Sequence, residues 1–139
     1  MRLLKPIMTG TLGLVLGAAP AMADSVAVVS SKSPVMTLNK VQVADIFLGK
    51  TNRFPAGGPA VPIDLKEGSA VRDEFYAKIA DKSPAQLKAY WSKIIFTGRG
   101  QPPPAVSSST DMKKRVAANP AAIGYIERDL VDASVRVVF

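Results

Sequence analysis

Residues 60–80 read "AVPIDLKEGSAVRDEFYAKIA", and the periodicity changes inside this stretch. Its opening, "AVPID", is a short apolar run with the character of a buried strand. Gly68-Ser69 ends the run. Beyond it the apolar residues fall at Val71, Phe75, Tyr76, Ile79 and Ala80, which is one face of a helix. The Gly-Ser pair between strand and helix has two readings. Ser69 can cap its own helix. Alternatively, the pair leaves backbone N–H groups free at the positive end of the helix dipole, where an anion is held by main chain alone. Gly68 allows close approach because it has no Cβ, Ser69 adds a hydroxyl, and Arg72 one turn later offers a charge-assisted bond.

The same alternation extends to both sides. "SVAVVS" (25–30) is a Val-rich strand, and "SKSP" after it is a turn. Asn39 with Gln42 forms a capping box for a helix over 40–48. That helix presents Val41, Ala44, Phe47 and Leu48 on one face, and Gly49 stands at its C-terminal end. Ser83-Pro84 opens a helix with the stripe Leu87, Tyr90, Trp91, Ile94 and Ile95, the clearest amphipathic pattern in the chain. "TGRGQPPPAVSSS" (97–109) breaks regular structure, and Ser109 or Thr110 caps a helix that ends at Asn119-Pro120. "AIGYI" and "SVRVVF" close the chain as strands. Strands alternating with helices predict a three-layer α/β domain with a largely parallel sheet flanked by helices.

Two further stretches are candidate sites. "SSKS" (30–33) follows the first strand, so Ser31 is a candidate anion contact beside Gly68, Ser69, Ala70, Arg72 and Glu67. "TGRG" (97–100) sets Arg99 between two glycines, and its default reading is a mobile loop.

The chain begins with a short basic segment, an uncharged apolar run and "AMA", the layout of a signal peptide covering residues 1–23. The apolar run is shorter than the roughly 20 residues a membrane-spanning helix needs. Cleavage after Ala23 leaves one domain, residues 24–139, exported to the periplasm of a Gram-negative bacterium. Removing Arg2 and Lys5 from the 18 basic residues leaves 16 against 11 acidic ones, a net charge of +5. That excess favours anionic partners. Export and few aromatics argue against nucleic acid. The sequence has no Cys and no His, which excludes disulfides, soft-metal sites and His-based catalysis. No metal site and no cofactor is expected.

A resemblance then joins these pieces. Ile46-Phe47-Leu48-Gly49-Lys50, the strand leading into Gly68-Ser69, and Asn119-Pro120-Ala121-Ala122-Ile123-Gly124-Tyr125 resemble, in order and spacing, the periplasmic phosphate-binding protein of phosphate ABC transporters. The resemblance implies a fold like one lobe of a type II periplasmic binding protein. It covers nearly all of residues 24–139, about one lobe of a family whose members clamp phosphate between two. It also implies an anion site at Gly68 and Ser69. This sequence departs from the family around that pair. Leu65 stands where the family has Arg, Glu67 replaces Asp, and Ala70-Val71 replace Gly-Thr. Each charge-assisted bond lost removes roughly 1.5–3 kcal/mol, so the implied binding of phosphate or a similar oxyanion is weak.

Three functions compete on these grounds. The first is a solute-binding protein for phosphate or a similar small oxyanion, working with an ABC transporter permease, with a homodimer able to restore a cleft. The second is a ligand-poor lobe that docks on an envelope transporter, porin or sensor. The third, an enzyme, ranks last: Ser69 has no His to activate it. Asp73 and Glu74 are adjacent on a helix and point apart, so no catalytic residue is expected.

Overall fold

The computed structural model describes residues 24–139, together with Gly10 and Gly13. The expected signal peptide lies outside the described residues, apart from those two glycines. The elements are β1 (Ser25–Ser30), α1 (Lys40–Phe47), β2 (Val61–Pro62), β3 (Asp64–Leu65), α2 (Ala70–Ala80), α3 (Pro84–Phe96), β4 (Ala105–Val106), α4 (Ser109–Ala118), β5 (Ala122–Glu127) and β6 (Val135–Val137). A single 3-10 turn, Arg128–Leu130, links β5 to the segment before β6.

Local capping chemistry sets the helix starts. Asn39 and Gln42 form a reciprocal capping box on α1, and Ser83 and Gln86 form another on α3, with Pro84 at the first position. Ser69 caps α2. Ser108, one residue earlier than expected, caps α4 through the Asp111 amide.

The four-stranded sheet has the order β2-β5-β1-β6. All six residues of β1 are buried, as its Val-rich sequence implies. The main sheet is mixed rather than largely parallel. β1 runs antiparallel to both β5 and β6, and only β2 runs parallel to β5. The physical reason is that alternation of strands and helices specifies elements, not partners. The long connection from Gly49 to Ala60 carries the chain past β1 to the far edge of the sheet, so β1 and β2 are not neighbours. Pro62, which has no N–H to donate, sits on that edge strand. The run read as one strand, residues 60–64, divides there. β2 ends in the main sheet, and β3 pairs in parallel with β4 in a second, two-stranded sheet. β4 lies inside the proline-rich stretch that was expected to be irregular.

Helices flank both faces, as the α/β reading expects. Successive residues of a strand point to opposite faces. Tyr125 stacks on Phe75 of α2 at 4.0 Å and meets Phe47 of α1 edge-on. Its neighbour Gly124 faces the other way, against Met112 and Val116 of α4. Two predicted stripes differ from the observed ones. α1 buries Val43, Ile46 and Phe47 while Val41 is exposed. Of the predicted stripe, Phe47 and Leu48 are buried and Ala44 is half-buried, and packing against α2 selects Val43 and Ile46 in place of Val41. α3 buries Leu87 and Trp91 and packs Tyr90 and Ile94 half-buried against the core, as its stripe predicts, but leaves Ile95 49% and Phe96 93% exposed.

Candidate functional site

β3 delivers the chain to the C-terminal edge of β5. Lys66 N–H donates to Val106 O at 3.2 Å, and the chain then turns at Gly68, whose φ of +90° is left-handed. An added Cβ there would meet nothing within 4 Å, so the glycine is required by backbone conformation, not by space. Ser69 is extended, and its hydroxyl oxygen accepts from Arg72 N–H at 3.2 Å. The Ser69 amide donates to Lys66 O at 3.2 Å. The amides of Ala70 and Val71, at the start of α2, make no hydrogen bond among the described residues. Gly68 and Ala70 are exposed and Ser69 is half-buried. The cap and the open amides therefore coexist: the Ser69 oxygen satisfies its helix, while its O–H remains able to donate outward.

Arg72 does not project freely toward this turn. It is 9% exposed, its Nε lies 3.4 Å from Asp64 Oδ1, and its guanidinium carbon sits 5.3 Å from the centre of the Tyr76 ring. Asp64 is 3% exposed. It accepts hydrogen bonds from Tyr76 Oη at 2.8 Å, from Tyr125 Oη, and from the amide of Leu65 at 2.9 Å. Burial, reinforced by the neighbouring carboxylate, pushes the Tyr76 and Tyr125 phenols well above their ordinary pKa. Both hydroxyls thus stay protonated as donors to Asp64. Sequence reading passed over Asp64. The signal was a carboxylate set between Ile63 and Leu65 in an apolar run, which has to be paired when buried.

The predicted site residues divide into two groups. Glu67, Gly68 and Arg72 line one cavity of about 270 Å³ with Asp73, Pro84, Ala85 and Lys88; Ser69 and Ala70 follow Gly68 in the chain but do not line it. Ser31 is not part of this group. β1 runs opposite to β5, with Val29 paired to Ile123 and Ser25 to Glu127, so Ser31 lies at the opposite end of the sheet from Gly68. There its amide donates to Ser134 O and its carbonyl accepts from Arg136. The sequence placed it beside Gly68 on the assumption that β1 was parallel to the other strands. "TGRG" forms the C-terminal cap of α3: Gly98 has a φ of +68°, and the Gly98 and Arg99 amides return to the carbonyls of Ile95 and Ile94.

No protein-family model and no curated protein sequence matches the chain. Solved structures do. A protein described as a phosphate ABC transporter substrate-binding protein from Clostridium perfringens, solved with bound phosphate, is 28% identical with a TM-score of 0.65 over 83% of this chain. An ABC-type phosphate transport receptor from Vibrio cholerae matches at 21% identity and a TM-score of 0.62, again over 83% of this chain. PstS from Borrelia burgdorferi matches with the same TM-score and coverage at 12% identity, which speaks for the fold alone. The chain spans 44%, 45% and 46% of those three proteins. In architecture, the chain is similar to one lobe of the phosphate-binding proteins of ABC transporters.

Proposed function

We propose that this is a solute-binding-type protein that contacts a small oxyanion, phosphate or a close analogue, through the first turn of α2, and that it works in the periplasm. The observation that carries this reading is the pair of unbonded amides at Ala70 and Val71, on an exposed turn that Gly68 opens and Ser69 caps. The similarity to a phosphate-bound relative supports the choice of ligand. The net positive charge adds long-range attraction. An ABC transporter permease is the partner this reading entails.

The affinity is low. Arg72 is paired with Asp64, and Glu67 and Asp73 line the same cavity as Lys88. Attraction therefore rests on backbone dipoles, one hydroxyl and one exposed lysine, which suits a Kd on the order of millimolar. Titration of the nitrogen-15-labelled protein with phosphate and with sulfate tests it. Saturable movement of the Gly68, Ser69, Ala70 and Val71 amide signals is the expected result. Signals that stay fixed through tens of millimolar ligand, on the order of ten times that Kd, would sink the reading.

A second reading, docking on an envelope partner or on another copy of the chain, is favoured by one observation. Phe96 is 93% exposed beside Ile95 at the end of α3, an unusual place for a large apolar side chain. Phe96→Ser should abolish co-purification with such a partner and leave the phosphate titration unchanged. If co-purification survives the substitution, the docking surface is elsewhere.

A further inference from the structure

The outward face of α3 carries cations, no carboxylate, and a large apolar side chain held in water. From Lys82 to Thr110 the sequence has Lys82, Lys88, Lys93 and Arg99 and no Asp or Glu. Leu87, Tyr90, Trp91 and Ile94 of the helix turn toward the core. At about 100° per residue, the middle of the opposite face falls on Ala85, Ala89, Ser92 and Phe96, all exposed. Lys88 and Ile95 stand on one flank of that line and Lys93 on the other. Lys88, Lys93 and Arg99 are exposed and join no ion pair among the described residues. Lys82 is engaged, with its ammonium 5.2 Å from the centre of the Tyr90 ring. Glu67 borders the face only at its Lys88 and Ile95 edge.

Charge and shape select what covers this face. Two copies of the chain meeting there about a two-fold axis would set cations against cations. A different protein has to close over roughly 1,200 Å² and supply a pocket for the aromatic ring. Phe96 projects from the end of its helix with almost nothing packed around it. An anionic bilayer needs neither a pocket nor a fixed shape. The ring enters the acyl boundary, while the lysine stems lie along it and keep their ammonium groups at headgroup level.

We propose that the outward face of α3 rests on an anionic phospholipid bilayer. Phe96 and Ile95 enter the acyl boundary, and Lys88, Lys93 and Arg99 meet the headgroup phosphates. Each basic side chain near such a surface adds attraction, and the apolar pair supplies the second signal that stable attachment needs. The proposal does not rest on the oxyanion reading. Lys88 also lines the cavity over Gly68, so the test leaves it in place.

The sequence has no Cys, so one introduced thiol gives a single labelled position. An environment-sensitive fluorophore on Ser92→Cys, in the full chain, reports burial of this face. The same label on Ala133→Cys, exposed at the end of the sheet where Ser31 lies, reports contact made in any other way. Both are titrated with vesicles of phosphatidylcholine, alone or with equimolar phosphatidylglycerol. The expected result is that position 92 brightens with the mixed vesicles and position 133 does not. Lys93→Gln with Arg99→Gln should weaken the response about thirtyfold, the effect of two charges near an anionic surface. Phe96→Ser should weaken it about tenfold or more, the loss of a buried ring. All three positions are exposed, so the variants fold. An equal response at positions 92 and 133, or equal binding to phosphatidylcholine alone, overturns the proposal. Silence at position 92 overturns it too, and Phe96-dependent dimers in sedimentation would then assign the face to a second copy of the chain. The two readings fail separately: Gly68 amide signals that ignore phosphate sink the oxyanion site alone.

Discussion

Arg72 turns inward from the first turn of α2 to face Asp64, with Nε 3.4 Å from Oδ1. The helix with unbonded amides at its N-terminus thus directs its own cation at a buried carboxylate on the preceding strand. Asp64→Asn keeps an acceptor for the two tyrosine hydroxyls but leaves the guanidinium without a counter-charge. Breaking a buried pair from one side costs about 3–5 kcal/mol, and urea unfolding should show a loss near the lower end. The folded fraction should bind phosphate more tightly than the parent, because Arg72 is released. Weaker binding would mean that Asp64 holds Arg72 in its working position.

The two tyrosines on Asp64 predict an alkaline limit to stability. Tyr76 and Tyr125 have pKa values raised from the ordinary 10.0 by burial first and by Asp64 second. Above pH 10 the unfolded chain releases phenolic protons that the folded state retains, so stability falls as pH rises. Below that it is fully present. Each such tyrosine contributes a slope of about 1.4 kcal/mol per pH unit. Tyr125→Phe should lower the stability at neutral pH, where Asp64 loses a donor, and make the decline above about pH 10 shallower. Urea midpoints across that range check both effects.

Gly124 is fixed by α4. A Cβ on it would lie 2.5 Å from Met112 Sδ and 2.8 Å from Val116 Cγ2. Gly124→Ala should therefore destabilise by about 1–3 kcal/mol through overpacking. Adding Met112→Ala should cost less than the sum of the two single changes, since the contacts are shared. A double-mutant cycle by thermal or urea unfolding measures that coupling.

Ser69 separates capping from binding. Ser69→Ala removes the acceptor for the Arg72 amide and should cost about 1 kcal/mol, whereas Ser69→Gly should cost only a few tenths. Both remove the hydroxyl proposed to donate to the anion. Phosphate affinity should thus fall in both variants by a similar factor, although their stabilities differ. Affinity that tracks stability instead would mean that the hydroxyl serves the helix alone.

The capping residues were legible because their chemistry is local. Asn39-Gln42, Ser83-Pro84-Gln86 and Ser69 each satisfy backbone groups within a few residues of themselves, and nothing distant alters that requirement. The Gly68 turn was legible for the same reason. The order of segments carried the one-lobe architecture, and solved phosphate-binding proteins match it.

Strand direction was not legible. Whether β1 lies parallel or antiparallel to β5 depends on residues about a hundred positions apart, such as Val26 against Ile126, and no local pattern encodes that pairing. Ser31 consequently moved to the far end of the sheet. The fate of Arg72 was hidden likewise. Helical spacing places it one turn from Ser69, but only the assembled packing of β3, α2 and β5 brings Asp64, Tyr76 and Tyr125 around it. Hydrogen bonds within a turn are set by neighbours in the chain; a buried charge is set by whichever distant groups close over it.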